Sequence, residues 1–145
     1  MLFRSPKFEE EIQVVKNTTS SYNPTLEKII DGEQILYFQN VIKRVPVPDN
    51  VLNYSVSLVS KTRPGTPNAA SIVNDYISWG AGPRASQFLI MGAKTHAVLN
   101  GKYSPDIEDV KAVAPAILRH RIVKNYKAEA EGISVEKVIN ELLKS

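Results

Sequence analysis

The stretch GAGPRASQFLIMGAKTHA, Gly80 to Ala97, decides the fold reading and raises a problem of charge. Gly82 can cap a helix, and Pro83 suits the first helical position, where its missing N–H has no partner to lose. Ala85, Phe88, Leu89, Gly92, Ala93 and His96 recur on one helical face, and Gly92 and Ala93 are small enough to let a second helix come close. Asn100-Gly101 closes the segment. Arg84 then falls in the first turn, where the helix dipole already places about half a positive charge. Two readings of Arg84 stand side by side. It is a surface arginine after a Gly-Pro turn, opposed by the dipole by about 0.3–1 kcal/mol. Or free N–H donors, the dipole and a guanidinium fork converge on a phosphate. Gly80, Gly82 and Pro83 form the supporting turn in either case, and Trp79 reads as its anchor.

Outward from this stretch the chain reads as helices with short polar connections. SPKFEEEIQVVKNT carries Ser5 as a cap, Pro6 at the first position and acids in the early turns. GEQILYFQNVIKRV sets Ile35, Phe38, Ile42 and Val45 at helical spacing, and Pro46 and Pro48 end it. DNVLNYSVSLVSKT puts Val51, Leu52, Ser55, Leu58, Val59 and Thr62 on one face, before the break RPGTPNA. ASIVNDYISW fits a short helix or a strand. DIEDVKAVAPAIL starts at Asp106 and turns Ile107, Val110, Ala114, Ile117 and Leu118 inward, with Pro115 expected to kink or shorten it. SVEKVINELLK is capped by Ser134 and sets Val135, Val138 and Leu142 on one side. The fold class is all-α, a helical bundle with a small extended element near Tyr76–Trp79.

Composition limits the chemistry. The 145 residues contain no cysteine, which excludes disulfides, thiolate catalysis and Cys-based zinc sites. Two histidines, His96 and His120, are too few and too distant for a metal site, so no metal is expected. His96, on an apolar face, reads as a core histidine hydrogen-bonded to a neighbour, with a catalytic role as the rarer alternative. The net charge is +3, from 18 basic and 15 acidic residues, too mild to argue for nucleic acid. No apolar run approaches the ~18 residues of a membrane span, and the acidic start does not resemble a signal peptide. A soluble cytoplasmic domain without a membrane partner is the expectation. The phosphate-binding loop G-x-x-x-x-G-K-[ST] is absent. GAGPRA fits G-x-G-x-x-[GA], but that fingerprint needs a βαβ unit and here helices follow. Basic residues crowd the segment from Lys111 to Lys127. Placement near a helix C-terminus accounts for them more simply than a nucleic-acid patch does, since Tyr126 alone offers a stacking platform. Arg119, His120 and Arg121 remain a candidate interface.

Several short motifs in a fixed order carry a resemblance. YISWGAGPRASQFLIMGAKTHAVLNGK, followed by DIEDV and LRHRI, resembles the C-terminal lid of MoxR-type AAA+ ATPases, whose pattern runs G-A-S-P-R-A, an alanine-rich helix, P-[ED]-D-V and L-x-H-R-I. KTR at Lys61–Arg63, NYKAEAEGIS at Asn125–Ser134 and FEEEIQVV extend the likeness to nearly the whole chain. Gly82 stands where that family has Ser or Thr, Ile107 where it has proline, and Pro115 is unusual.

The resemblance implies that residues 1–145 form one helical lid domain, with residues 1–5 the seam to an N-terminal ATPase core. It implies that Arg84 is the sensor 2 arginine, reaching the terminal phosphate of ATP and coupling hydrolysis to chaperone-like remodelling. The parent would be an ATPase using ATP and magnesium, assembled as a ring, commonly a hexamer, with its own core and neighbouring subunits as partners, along with von Willebrand factor A domain proteins. The chain alone carries no phosphate-binding loop, magnesium site, sensor 1 or arginine finger, so it is expected neither to hydrolyse ATP nor to bind it tightly. The alternative reading is a free-standing helical module that binds protein or nucleic acid through Arg119–Lys127.

Overall fold

A computed structural model describes residues 5–21 and 25–144. Of the seam at residues 1–5, only Ser5 lies within the described residues. Contacts divide the chain into two compact units, residues 1–32 and 33–145.

The first unit holds α1 (Phe8–Thr19), whose first turn carries Glu9, Glu10 and Glu11. The helix starts after Lys7 rather than after Ser5. The Lys7 N–H donates to Glu10 Oε2 at 2.8 Å, which is half of a capping box. Three residues after Ser5 stands Phe8, which can return no hydrogen bond. No side chain of α1 is buried.

The second unit comprises α2 (Gly32–Arg44, entered from its second residue), α3 (Asp49–Lys61), α4 (Ser71–Tyr76), β1 (Ile77–Trp79), α5 (Pro83–Leu99), α6 (Ile107–Leu118), β2 (Val123–Lys124), α7 (Tyr126–Ala130) and α8 (Val135–Lys144). The described residues are thus all-α apart from one two-stranded antiparallel ribbon, which pairs Ile77 with Lys124 and Trp79 with Val123. The ambiguous ASIVNDYISW is both things in turn: helix to Tyr76, then strand.

α5 is the centre of the core. Ala85, Leu89, Ala93 and Ala97 repeat every four residues and are all buried. Three of these four are alanines, so neighbouring backbones come close. A Cβ on Gly92 would sit 3.0 Å from Ile117 Cδ1 and 3.2 Å from Val113 Cγ2 of α6, so the second helix does approach there. Val51, Leu58 and Val59 of α3, Val110, Ala114 and Leu118 of α6, and Val138, Ile139 and Leu142 of α8 complete the core. Burying a Leu or Val side chain contributes about 1.5–3 kcal/mol. α6 continues three residues beyond Pro115, which is half-buried. Proline removes the donor to one carbonyl and leaves the next turn able to form. On α2 the expected stripe is only partly covered: Ile42 and Val45 are half-buried, whereas Ile35 and Phe38 are exposed.

Asn125 ties the ribbon to α7. Its N–H donates to Tyr76 O, its side-chain amide donates to Asp75 O, and its Oδ1 accepts from Ala128 N at 2.9 Å as the α7 cap.

Candidate functional site

The start of α5 is built by the end of α3. Thr62 is fully buried, and its hydroxyl donates to Val59 O at 2.6 Å. The same oxygen accepts the Ala81 N–H at 2.9 Å. Arg63 Nε donates to Ala81 O, also at 2.9 Å. Gly80 passes so near that a Cβ on it would lie 2.2 Å from Thr62 O. Glycine is therefore required at 80 by close approach of two backbones. Gly82 is the N-cap, with φ −84° and ψ 179° and open space around it, a conformation any residue adopts. It donates no side-chain cap, which the Ser or Thr of the resemblance would.

Pro83 opens the helix and Arg84 is its second residue, exposed to solvent. The first turn of α5 contains no acid, and Arg84 has no hydrogen-bond or ion-pair partner among the described residues. Of the first-turn donors, Pro83 has none, and Ala85 gives its N–H to Gly82 O at 2.9 Å. The chemistry at this end therefore rests chiefly on the guanidinium: a planar, permanently charged fork suited to a phosphate.

One turn along, Phe88 is half exposed, and the Arg121 guanidinium lies over its ring, 5.0 Å from the centroid. Arg121 also donates to Ile117 O and touches His120 Nε2. Arg119 turns instead toward Glu136 of α8, 3.7 Å away. Of the candidate interface trio, Arg121 is thus brought to the face of α5 that bears Phe88, and Arg119 is not. The neighbouring cations pair with acids: Lys111 with Glu108 at 2.8 Å, Lys124 with Glu129 at 3.1 Å and Lys127 with Asp75 at 3.9 Å. The basic run of the sequence does not become a continuous basic strip.

α5 and the elements that follow it fall within a shared pattern, since residues 69–142 match the AAA lid domain family. The chain belongs to that family. The lid is 32% identical over 143 residues to Chaperone MoxR1 of Mycobacterium tuberculosis, covering 99% of the lid chain and 37% of that relative. It is 29% identical over 139 residues to the uncharacterized protein YeaC of Bacillus subtilis, covering 95% and 41%. A crystal structure of a protein from Cytophaga hutchinsonii, provisionally named an ATPase, superposes with a TM-score of 0.79 at 33% identity, over 98% of the lid chain and 43% of its own. The chain thus spans about two fifths of the length of the proteins it matches.

The far end of α5 in the lid holds a cluster of a different kind. Asp109 of α6 is fully buried. His96 Nδ1 lies 2.7 Å from its Oδ1, and Lys102 Nζ reaches both its oxygens at 3.2 and 3.1 Å. The Asp106 N–H donates to Asp109 Oδ2, and Asp106 Oδ1 accepts the Asp109 N–H, a complete capping box. Burial alone would raise the Asp109 pKa; the Asp106 N–H, His96 and Lys102 outweigh it and hold the carboxyl at about 2. His96 is thus hydrogen-bonded to a neighbour as expected, but it is not a core residue: its side chain is 40% exposed at the rim of the cluster. Trp79 is 73% exposed and does not anchor the turn; Thr62 and Arg63 do. The only sequence trace of that clamp was KTR, whose local context is a helix end. Arg84, a cation with no partner among the described residues, has the chemistry to meet an anion. No group of three or more His, Cys, Asp or Glu that could hold a metal ion occurs among the described residues. No described helix is long and apolar enough to cross a membrane.

Proposed function

We propose that this lid closes over the nucleotide of a AAA+ core and that Arg84 is its sensor 2 arginine, contacting the terminal phosphate of ATP. The observation that supports the reading is an exposed arginine at the second position of α5, without a partner among the described residues and with no acid in the turn. There a cation opposes the dipole by about 0.3–1 kcal/mol; a triphosphate reverses the sign of that interaction. Charge that develops on the phosphates during hydrolysis is then stabilised by a donor already in place, and loss of the phosphate releases the contact and frees the lid to move. Magnesium and the phosphate-binding loop belong to the core in this reading, and the isolated lid neither hydrolyses ATP nor holds it tightly. The assembly is a cytoplasmic ring, a hexamer, whose partners are its own core, its neighbouring subunits and von Willebrand factor A domain proteins. It does chaperone-like remodelling; the name of Chaperone MoxR1 calls that relative a chaperone and says no more.

The test is Arg84→Ala in the lid assembled with its core. ATP turnover is expected to fall about a hundredfold, the usual effect of losing one donor to transition-state charge. Turnover equal to the unmodified protein would end the sensor 2 assignment.

A further inference from the structure

Thr62 and Arg63 anchor the turn without a part in the nucleotide contact given so far, and together they hold the peptide from which α5 departs. The Ala81 peptide is gripped on both sides, its N–H by the Thr62 hydroxyl and its C=O by Arg63 Nε, each at 2.9 Å. The Gly80 backbone is pressed against the Thr62 carbonyl. Arg84 follows three residues later. With Ala81 fixed, the direction in which α5 leaves the turn is fixed as well.

Arg63 is unusual in its own right. It is half-buried and has no acidic partner among the described residues. A half-buried cation ordinarily has a carboxylate to offset its lost hydration. Its place just past the end of α3 suits a positive charge, but a lysine would serve the dipole equally. An arginine adds a rigid, directional N–H aimed at one carbonyl, and that carbonyl belongs to the turn before Arg84.

We infer that Arg63, with Thr62, is a positioning residue for Arg84, setting the angle and origin of α5 so that the guanidinium meets the phosphate. The inference rests on the sensor 2 reading of Arg84. A productive contact must be held within about 0.5 Å and 10–20°, and a misplacement of about 1 Å lowers a rate by up to a hundredfold. Arg63 itself touches no nucleotide in this scheme.

Two measurements test it. In the 145-residue chain, amide exchange followed by NMR reports the grip directly. Arg63→Ala and Thr62→Val are expected to speed exchange at Ala81 at least tenfold while leaving α6 and α8 unchanged, and Thr62→Ser, which keeps the hydroxyl, restores the protection. In the lid assembled with its core, Arg63→Ala is expected to lower ATP turnover about tenfold, and the Arg63→Ala/Arg84→Ala double variant to be no slower than Arg84→Ala alone. A purely structural Arg63 would instead multiply the two losses. Unchanged exchange at Ala81, or multiplied losses in the double variant, overturns the inference. If Arg84→Ala alone leaves turnover intact, the sensor 2 reading falls and this positioning role with it, while exchange at Ala81 still decides whether the grip exists.

Discussion

The two ends of α5 treat charge in opposite ways. At the C-terminal end, Asp109 is fully buried and met by His96, Lys102 and the Asp106 N–H. At the N-terminal end, Arg84 is exposed, without a partner among the described residues, and set against the dipole. A charge surrounded by its complements holds the fold together and has little left to offer a ligand. A charge left open in an unfavourable field is the one whose energy improves when something arrives. The difference separates the residue to test for function from the residues to test for stability.

Asp109→Ala should break the closed end most severely. Removing one member of a buried charged network costs about 3–5 kcal/mol, and here Lys102 keeps Asp106 while His96 is partly exposed, so a loss near the lower bound, about 3 kcal/mol, is expected by urea unfolding. Gly80→Ala attacks the scaffold of the open end. Its Cβ would meet backbone at 2.2 Å, and forced repacking of this kind costs about 1–3 kcal/mol, read as a lower unfolding midpoint.

Acid sharpens the same contrast. The Asp109 carboxyl is held at about 2 in the fold, below its ordinary 3.8. The contribution to stability is full above about pH 4 and is lost as pH falls through the folded value; at about 1.4 kcal/mol per unit it amounts to about 2 kcal/mol. Unfolding measured from pH 5 down to pH 2 should show this loss, and Asp109→Asn should remove it; an equally steep decline in that variant would place the acid sensitivity elsewhere. The smallest effect is expected at the open end. Arg84→Ala should change stability by less than about 0.5 kcal/mol, as for a surface residue without partners, despite its large expected effect on turnover. A stability loss like that of Asp109→Ala would erase the contrast between the ends.

Periodicity along single helices made much of the fold legible. The small face of α5, the Asp106 cap, the inward side of α3 apart from Leu52, which is exposed, and the Ser134 cap, which accepts Lys137 N at 3.1 Å, all follow from residues within a turn or two of each other. Arg84 was legible because its conflict with the dipole is local too. What escaped depends on distant chain. Thr62 meets Ala81 19 positions away and Tyr76 meets Glu131 55 positions away, and no local pattern encodes either contact. Trp79 read as an anchor because a large aromatic ring beside a turn is usually buried; pairing in the ribbon leaves it outside. Ile35 and Phe38 keep perfect helical spacing and still face solvent, since spacing shows that a helix has an apolar side but not that anything covers it. The short α7 has too few residues to show a period at all.

The close packing of α5 has a mechanical consequence. Its 17 residues make a rod about 25 Å long at 1.5 Å per residue. One end is clamped to α3, the other is bolted to α6 through Asp109, and small side chains between them leave no slack for bending. A force applied at Arg84 is therefore shared between the clamp on α3 at one end and the tie to α6 at the other.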